Sequence, residues 1–309
     1  MEKVVASQQG KIRVVLNPAA GTSTSDEVRA VVEQAFGSAN RPYDIYETKP
    51  DDDLGSYLDQ AKSEGDGLVI AAGGDGTVSL VASQLVGSGV PIGILPTGSA
   101  NVLALELGLP QDLQEAMDII AGEHQVHDLD LMHFGGRHYI LQIGIGIDSL
   151  MVRDTSRKAK RVLGRLAYMV TLFTKFIGYR SRRFTILADG QRLRPRAWQI
   201  VVANAGTLGA PPFRWGPDIS LNDGAVDICI FNVRTPFSYV RQIARVLLGQ
   251  HKNDTHITYV RVQERVTIAA DHSLPIQADG EIVHESPLQI DVVPRGAKVI
   301  VPLTNDSQD

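Results

Sequence analysis

A glycine-rich segment is the part of the chain best suited to bind a phosphorylated ligand. The apolar run 68–72 ends in Gly73-Gly74-Asp75-Gly76-Thr77, and a helical pattern follows. Glycine adopts positive φ and lets backbone N–H groups approach a ligand closely. The N-terminus of a helix adds unpaired N–H donors and partial positive charge. The segment therefore predicts a phosphate-binding loop, although it matches neither the P-loop nor the dinucleotide fingerprint.

Asp75 is unusual in such a loop, because a carboxylate repels phosphate. A Mg²⁺ ion between the two removes that conflict, since Mg²⁺ favours one or two carboxylates together with phosphate oxygens. The same residue can also be explained without a ligand, as the cap of a helix in a tight strand-to-helix turn. Both interpretations of Asp75 stay open.

Two further loops have a similar composition. Asn17-Pro18-Ala19-Ala20-Gly21 follows the first predicted strand, and Leu95-Pro96-Thr97-Gly98-Ser99-Ala100-Asn101 follows the fourth. Small residues predominate in both loops, and each loop precedes a predicted helix. In an open parallel sheet, the loops at the carboxyl ends of neighbouring strands converge on one crevice. The three loops together therefore predict a nucleotide site.

These loops belong to an alternating pattern of strands and helices. Apolar runs predict strands at residues 11–18, 43–48, 68–72 and 91–96, and helical periodicity predicts helices at 26–36, 52–64, 77–86 and 101–107. Ser25 is the predicted N-cap of the first helix. This order favours a mainly parallel sheet with right-handed crossovers.

From about residue 128 onwards, short strands follow one another. They are expected at residues 139–146, 184–189, 198–203, 225–232, 256–262, 265–269, 288–293 and 298–301, with helices near 157–177 and 237–248. Asp189-Gly190 and Arg295-Gly296 are typical of turns. We therefore expect an α/β nucleotide-binding domain over residues 10–127 and a mostly antiparallel β-sandwich domain over residues 128–304. The length of 309 residues favours two domains as well.

Composition and charge exclude some classes of protein. The net charge of −5 gives no basic footprint for nucleic acid. Cys229 is the one cysteine, so no internal disulfide can form, which fits a reducing compartment. The sequence contains no uncharged apolar run of about 18 residues, the length that would indicate a membrane span. We expect a cytoplasmic protein.

Five segments resemble the lipid kinase family that includes diacylglycerol kinases, sphingosine kinases and their bacterial relatives. In family order they are Asn17–Gly21, Gly73–Thr77, Gly93–Asn101, Leu221–Gly224 and Asp279–Glu281. The Gly-Gly-Asp-Gly-Thr loop is shared with NAD kinases and is similar to one in phosphofructokinases, so the resemblance implies their fold for the first domain. The first and third loops are similar to those of the lipid branch, and the short length resembles the bacterial subgroup.

The resemblance implies roles for the matched positions. It implies an ATP site at Asn17, Pro18, Ala19, Ala20, Gly21, Thr48, Gly73, Gly74, Asp75, Gly76, Thr77, Val78, Ser79 and Ser99. It also implies a structural Mg²⁺ held around Ser220, Asp223 and Ala225, with Asp128 in support. Asp279 and Glu281 match an essential acidic pair. Glu281 matches the proton acceptor, while Asp279 and Asp75 stay open for that role.

The activity implied by the resemblance is Mg²⁺-dependent transfer of the γ-phosphate of ATP to a lipid hydroxyl, with diacylglycerol as the leading substrate. Val102 and Leu103 stand where many diacylglycerol kinases have aspartate and an aromatic residue, and they are more similar to the sphingosine and ceramide kinases. Sphingoid bases, ceramide-like lipids and other lipids therefore stay open. The alternatives from other classes are an NAD kinase-like enzyme and a non-catalytic protein that binds nucleotide or lipid.

Without the resemblance, three segments have simpler explanations. Asp279-Gly280 is typical of a two-residue hairpin, and Asn222-Asp223-Gly224 is typical of a turn. The segment from Gly144 to Asp148 favours a bend or close packing over a cofactor site.

The segment Arg153–Arg183 bears on membrane contact. It contains ten lysines and arginines, and Asp154 is its one acidic residue. Basic residues near a surface attract anionic lipid, which favours peripheral contact with a membrane. A core-packed helix with a solvated basic face is the alternative. The sequence leaves open whether the protein forms a homodimer.

Overall fold

The computed structural model describes residues 4–5, 10–21, 23–37, 41–49, 53–154, 181–207, 214–216, 218–232 and 257–303. The chain forms two compact units, one from Met1–Leu131 together with Pro294–Asp309 and the other from Met132–Val293. The predicted helices near 157–177 and 237–248 lie outside the described residues, as does most of the basic segment Arg153–Arg183. None of the described helices is long and apolar enough to cross a membrane.

The first unit is an α/β domain with a parallel sheet. Its elements are β1 (Val4–Val5), β2 (Ile12–Leu16), α1 (Ser25–Val32), β3 (Tyr43–Glu47), α2 (Leu54–Glu64), β4 (Leu68–Gly73), α3 (Asp75–Gln84), β5 (Pro91–Pro96), α4 (Val102–Glu106), α5 (Leu113–Ala121) and the first residues of β6 (Glu123–Phe134). Parallel pairing joins β3 to β2, β2 to β4 and β4 to β5. The end of the last strand, β18 (Leu288–Val301), pairs in parallel with β5. The predicted fold class of this domain is confirmed.

Burial explains why the strands of this sheet are apolar. Every residue of β2 and β4 is buried, as expected for a parallel sheet covered by helices on both faces. Val28 of α1 and Ile120 of α5 pack in one cluster with Val14 and Ile70 of these strands. This core positions the carboxyl ends of the strands, from which the three loops emerge.

The helix boundaries differ from the predicted ones in ways that matter for the loops. Thr24, rather than Ser25, is the N-cap of α1. Its hydroxyl accepts the Glu27 N–H over 3.2 Å, and its own N–H donates to the Glu27 carboxylate over 2.7 Å. The helix continues as a π-helical turn over Glu33–Gly37. Helix α3 starts at Asp75, two residues before its predicted start, so the glycine-rich loop includes the first turn of the helix.

A charged side chain is buried on β2. Arg13 is 1% exposed, and its Nε donates to the buried carboxylate of Asp66. Its Nη2 lies 2.7 Å from a carboxylate oxygen of Glu64, and the Tyr57 ring lies 4.8 Å from the guanidinium carbon. A charge is tolerated in the interior only with such partners.

The second unit is a sandwich of two antiparallel sheets. Its elements are the end of β6, β7 (Arg137–Tyr139), β8 (Gln142–Gly146), α6 (Ile147–Asp154), β9 (Arg182–Ala188), β10 (Gln191–Leu193), β11 (Arg196–Ala197), β12 (Gln199–Ala203), β13 (Val226–Phe231), β14 (Ile257–Val262), β15 (Arg265–Ala270), β16 (Pro275–Ala278), β17 (Glu281–Glu285) and the first residues of β18. One sheet has the order β14-β13-β12-β8-β16-β17, and the other has the order β10-β9-β15-β18. Ile143 and Ile228 of the first sheet share a core with Phe184 and Ile268 of the second. The predicted β-sandwich is confirmed.

Two strand predictions in this part of the chain were wrong. Residues 139–146 form two strands, β7 and β8, rather than one. Residues 288–301 form one strand, although Arg295-Gly296 predicted a turn. Arg295 does adopt a positive φ of 51°, but its N–H donates to Asp130 over 2.8 Å, so the strand is distorted without reversing. Strands β6, β10, β11, β16 and β17 were not predicted, nor was β1 of the first unit.

Candidate active site

The loop after β2, residues 17–21, contacts two other loops of the first unit. Asn17 Nδ2 donates to Thr77 Oγ1 in the second loop, residues 73–77, over 3.1 Å. Gly21 has a φ of 53°, and a Cβ atom there would lie 2.0 Å from the carbonyl oxygen of Thr97 in the third loop, residues 97–101. Only glycine permits this approach of the two backbones.

The second and third loops touch through glycines. A Cβ atom on Gly98 would lie 2.4 Å from Gly74 Cα, so no side chain fits between these backbones. Gly76 differs, because no atom of the described residues outside its own helix lies within 4 Å of a Cβ atom built there. The predicted meeting of the three loops is confirmed, and the meeting place is open beside Gly76.

The start of α3 carries backbone donors that the protein does not use. Gly74 is the N-cap and has no side chain with which to cap the helix. Its carbonyl accepts the N–H groups of Thr77 and Val78 over 2.9 and 3.2 Å. Within the described part of the chain, the N–H groups of Asp75 and Gly76 have no acceptor. Unpaired donors at a helix N-terminus favour an anion such as phosphate.

Asp75 caps a helix, but a different one from the helix that contains it. One carboxylate oxygen accepts the Val102 N–H over 3.0 Å, and the other accepts the Leu103 N–H over 2.9 Å. Asn101, the N-cap of α4, has a φ of 47° and makes no side-chain cap bond, so Asp75 takes its place. The helix-cap interpretation is therefore correct in part. Each oxygen still has a lone pair with which to bind Mg²⁺.

Two buried polar atoms of the third loop have no hydrogen-bond partner among the described residues. They are Thr97 Oγ1, on a side chain that is 1% exposed, and Asn101 Oδ1. Asn101 Nδ2, in contrast, donates to the carbonyl of Gly98 over 2.9 Å and to Gln111 Oε1 over 3.0 Å. Buried polar atoms without a partner are uncommon in native proteins. A phosphate oxygen can accept from the Thr97 hydroxyl, whereas Asn101 Oδ1 is an acceptor that a cation or its bound water would satisfy. The two atoms together therefore fit Mg²⁺ and ATP.

The other positions implied for ATP differ in exposure. Ser99 is exposed in the third loop, where its hydroxyl can reach a ligand. Val78 and Ser79 are buried within α3. The Thr48 N–H donates to the Leu16 carbonyl over 2.8 Å, which holds Thr48 beside the end of β2. Val78 and Ser79 therefore support the second loop from inside α3, whereas Thr48 and Ser99 are not buried.

In the second unit, Asp279 and Gly280 form the hairpin turn between β16 and β17. Their φ values are 45° and 87°, and the predicted turn is confirmed. The Asp279 carboxylate accepts the N–H groups of Ile140, Leu141 and Gln142 over 3.2, 3.1 and 3.0 Å. These bonds hold the bend between β7 and β8, which explains why residues 139–146 do not form one strand.

Glu281 follows the turn as the exposed first residue of β17, an edge strand. Within the described residues its carboxylate has no hydrogen bond or ion pair, so both oxygens are available to a substrate. Burial, and then the carboxylates of Asp279 and Glu281, raise the pKa of Tyr139 against the opposing effect of Arg137. Tyr139 therefore lies near the acidic pair, and no sequence signal indicated it.

Gln277 links the turn to a second acidic residue. Its Oε1 accepts the Gly280 N–H over 3.0 Å, and its Nε2 donates to Asp148 Oδ2 over 3.2 Å. A Cβ atom on Gly144 would lie 2.3 Å from that Asp148 oxygen, so the close packing predicted for this glycine segment is confirmed. Burial raises the pKa of Asp148 to about 6. Sequence reasoning missed Gln277 entirely and assigned Asp148 no role.

The segment implied to hold a structural metal forms the predicted turn. Asp223 Oδ1 accepts the Ala225 N–H over 3.2 Å, and Ser220 Oγ donates to Asn222 Oδ1 over 2.9 Å. The other Asp223 oxygen lies 3.0 Å from Arg261 Nη1. Among the described residues, no three His, Cys, Asp or Glu side chains are grouped so that they could hold a metal.

Acidic residues are nevertheless concentrated around this turn. Burial, reinforced by Asp223 and Asp218 and opposed by Arg261, raises the pKa of Asp227 to about 6. A divalent cation would offset this accumulation of negative charge, and the oxygen ligands suit Mg²⁺. Asp128, the residue implied to support it, lies 3.7 Å from Lys298 Nζ in the first unit.

Both units match known domains. Residues 11–134 match the diacylglycerol kinase catalytic domain, and residues 142–301 match the YegS C-terminal NAD kinase beta sandwich-like domain. A protein of Bacillus subtilis named "Diacylglycerol kinase" is 28% identical over 274 residues, which cover 88% of this chain and 89% of the relative. A protein of Pseudomonas aeruginosa named "Probable lipid kinase YegS-like" is 27% identical over 280 residues, or 90% of each chain.

Two further similarities extend over most of this chain. An uncharacterized protein of Synechocystis is 29% identical over 255 residues, which cover 80% of this chain but 58% of that relative. A solved structure from Bacillus anthracis, described as a diacylglycerol kinase, shares the fold with a TM-score of 0.76 and 23% identity over 97% of this chain and 98% of its own. The chain belongs to the family of diacylglycerol kinases and YegS-like lipid kinases, and it is a phosphotransferase with an alcohol group as acceptor.

Proposed function

We propose that this protein transfers the γ-phosphate of ATP to a hydroxyl group of a membrane lipid, and that the lipid is diacylglycerol. The observation that carries the proposal is the contact among the three loops, which brings unused backbone donors and Asp75 together. The relatives named diacylglycerol kinase and lipid kinase support a lipid as acceptor.

The first unit holds the nucleotide in this proposal. The N–H groups of Asp75 and Gly76 donate to phosphate oxygens, and the Thr97 hydroxyl gains the partner that it lacks within the described chain. The free lone pairs of the Asp75 carboxylate would hold a Mg²⁺ ion, which would supply neutralisation of the phosphate charge. Because the contacts with Val102 and Leu103 fix the Asp75 carboxylate beforehand, it needs little reorganisation when the nucleotide binds.

The second unit supplies the proton acceptor. Of the three acidic candidates, Asp279 uses its carboxylate for three backbone N–H groups and Asp75 uses its own for two. Glu281 is exposed and has neither a hydrogen bond nor an ion pair with the described residues. A general base needs an oxygen that can reach the substrate hydroxyl, which favours Glu281. Asp279 then acts by holding the turn that carries Glu281.

Paired amide variants separate these roles. Glu281→Gln should lower kcat at least 100-fold, the lower end of the usual effect of a general base. Its melting temperature should stay that of the wild type, because the side chain makes no structural contact. Asp279→Asn should lower both kcat and the melting temperature, since its amide NH₂ would face an N–H donor. Full activity of Glu281→Gln would remove Glu281 from the mechanism.

We further propose that Ser220, Asp223 and Ala225 hold a structural Mg²⁺. Addition of Mg²⁺ without nucleotide should raise the melting temperature of the wild type, because a ligand that binds only the folded state stabilises it. Asp223→Asn should remove that increase. An equal increase in the variant would exclude Asp223 as a ligand.

A panel of acceptors tests the substrate. With radiolabelled ATP, we expect product with diacylglycerol in detergent micelles and none with NAD. Product with sphingosine or ceramide but not with diacylglycerol would support a lipid kinase with a different substrate, in agreement with Val102 and Leu103. Product with NAD alone would refute a lipid acceptor, and ATP binding without turnover on any acceptor would indicate a non-catalytic protein.

We also propose a cytoplasmic protein in peripheral contact with the membrane. Analytical sedimentation can decide whether it forms a homodimer.

A further inference from the structure

One outer face of the second unit is rich in arginine. In β9, Phe184, Ile186 and Ala188 are buried, whereas the alternate residues Arg183 and Leu187 are exposed. Strand pairing places Arg192 of β10 opposite Leu187 and Arg196 of β11 opposite Arg183. We call these four exposed residues, Arg183, Leu187, Arg192 and Arg196, the arginine face.

The charge of the arginine face is not balanced within the described residues. None of its arginines forms an ion pair there, and Arg183 lies directly opposite Arg196. Like charges in directly opposite positions destabilise a sheet. The face is therefore unfavourable in the isolated protein and complementary to an anionic partner.

The acidic residues nearby are already engaged. The Asp189 carboxylate accepts the N–H groups of residues 263–265. Asp271 lies 2.6 Å from His272 Nδ1 and also accepts the Arg183 N–H over 3.5 Å. Asp291 pairs with Arg265. These carboxylates are held by other groups and are not ion-paired with the side chains of the arginine face.

Leu187 identifies the kind of partner. Its exposed fraction is 46%, the largest among the exposed large hydrophobic residues that the structure describes. An apolar side chain beside Arg192, on the same face as Arg183 and Arg196, suits the boundary between lipid headgroups and acyl chains, where both kinds of contact are available. The face offers no exposed aromatic ring on which a nucleic acid base could stack.

We infer that the arginine face docks the protein on an anionic lipid surface. The inference rests on the proposed function, because an enzyme that acts on a membrane lipid must reach the bilayer. The attraction is local, since the net charge of the whole chain is −5. It is therefore expected to weaken as salt is added, whereas the contribution of Leu187 is expected to persist.

The test is co-sedimentation with vesicles of phosphatidylcholine, with and without phosphatidylglycerol. An arginine near an anionic surface contributes about fivefold to binding, which corresponds to about 1 kcal/mol. Arg192→Gln combined with Arg196→Gln should therefore weaken binding to the anionic vesicles about 25-fold. A matched control combines Arg29→Gln with Lys62→Gln, which changes the net charge equally but removes two ion-paired residues of the first unit. The control should bind like the wild type, and both double variants should unfold cooperatively.

Three results would overturn the inference. The first is a wild type that binds both kinds of vesicle equally. The second is an arginine-face variant that binds like the wild type, while a variant that neutralises Lys158 and Lys160 of the basic segment Arg153–Arg183 loses all binding. The third is tighter binding to a single-stranded RNA than to the vesicles, together with loss of that RNA binding in the arginine-face variant. This result would assign the face to nucleic acid.

An activity assay separates this inference from the proposed function. With diacylglycerol in uncharged detergent micelles, the arginine-face variant should keep wild-type kcat and KM, because no anionic surface is present. If the variant loses as much activity in these micelles as it loses binding to anionic vesicles, the substitutions disturb the enzyme rather than its docking. If the wild type is also inactive with every lipid, the proposed function fails, and the vesicle result still decides whether the face binds anionic lipid.

Discussion

Replacement of Gly76 by alanine should weaken nucleotide binding without weakening the fold. No atom of the described residues outside α3 lies within 4 Å of the new Cβ atom, and the backbone of Gly76 is not in the left-handed region. Alanine is more favourable than glycine in a helix by up to about 1 kcal/mol, so the melting temperature should stay or rise. The methyl group occupies the open space beside the unpaired N–H groups of Asp75 and Gly76. Loss of one charge-assisted hydrogen bond to phosphate, about 1.5–3 kcal/mol, would raise the Kd for ATP about 10- to 150-fold.

Calorimetric titration with Mg·ATP and thermal denaturation, carried out on the same preparation, check both halves of this prediction. Gly98→Ala is the matched comparison, because its Cβ atom would lie 2.4 Å from Gly74 Cα and the two loops would have to separate. That variant should lose stability and ATP affinity together. Unchanged ATP affinity in Gly76→Ala would refute a phosphate site at the start of α3, and a marked loss of stability would refute the open geometry beside Gly76.

Three further predictions concern stability, measured by denaturant unfolding. Arg13→Ala leaves the buried Asp66 carboxylate without its charged partner and should cost about 3–5 kcal/mol; a cost below 1 kcal/mol would mean that the pair is not buried. Asp148 has a pKa raised from 3.8 to about 6, so its favourable contribution is complete below pH 3.8 and is lost as the pH rises through 6. Relative to Asp148→Asn, the wild type should lose about 3 kcal/mol between those pH values, and parallel pH profiles would contradict this. Thr24→Ala removes the capping box that Thr24 forms with Glu27 and should cost about 1 kcal/mol, whereas Ser25→Ala should cost less.

Local sequence patterns were sufficient to predict the strands and loops of the first unit. The strand over residues 91–96 was predicted with the correct bounds, because proline and glycine stand on both sides of a short apolar run. The meeting of the three loops followed from topology, since neighbouring parallel strands end at the same edge of a sheet. The chemistry expected at that edge could therefore be placed without coordinates.

Contacts between residues far apart in the chain could not be predicted in this way. The Asp75 carboxylate binds N–H groups 27 and 28 residues later, and Gln277 binds an aspartate 129 residues earlier. No local pattern specifies such partners, because they depend on how strands pair. The same reason explains the missed continuity of β18, where pairing on both sides of Arg295 outweighs a local turn signal.

The return of β18 to the first unit has a consequence for how the enzyme is made. Lys298 and Val299 pair with Pro91 and Ile92, so the sheet of the first unit gains β18 only after the whole of the second unit has been translated. Until then one edge of β5 presents unpaired backbone groups, which invite association with other chains. A fragment that ends at Leu131 should therefore aggregate when expressed alone. A truncation before Lys298 should impair nucleotide binding, although it removes none of the residues that we propose to contact the phosphates.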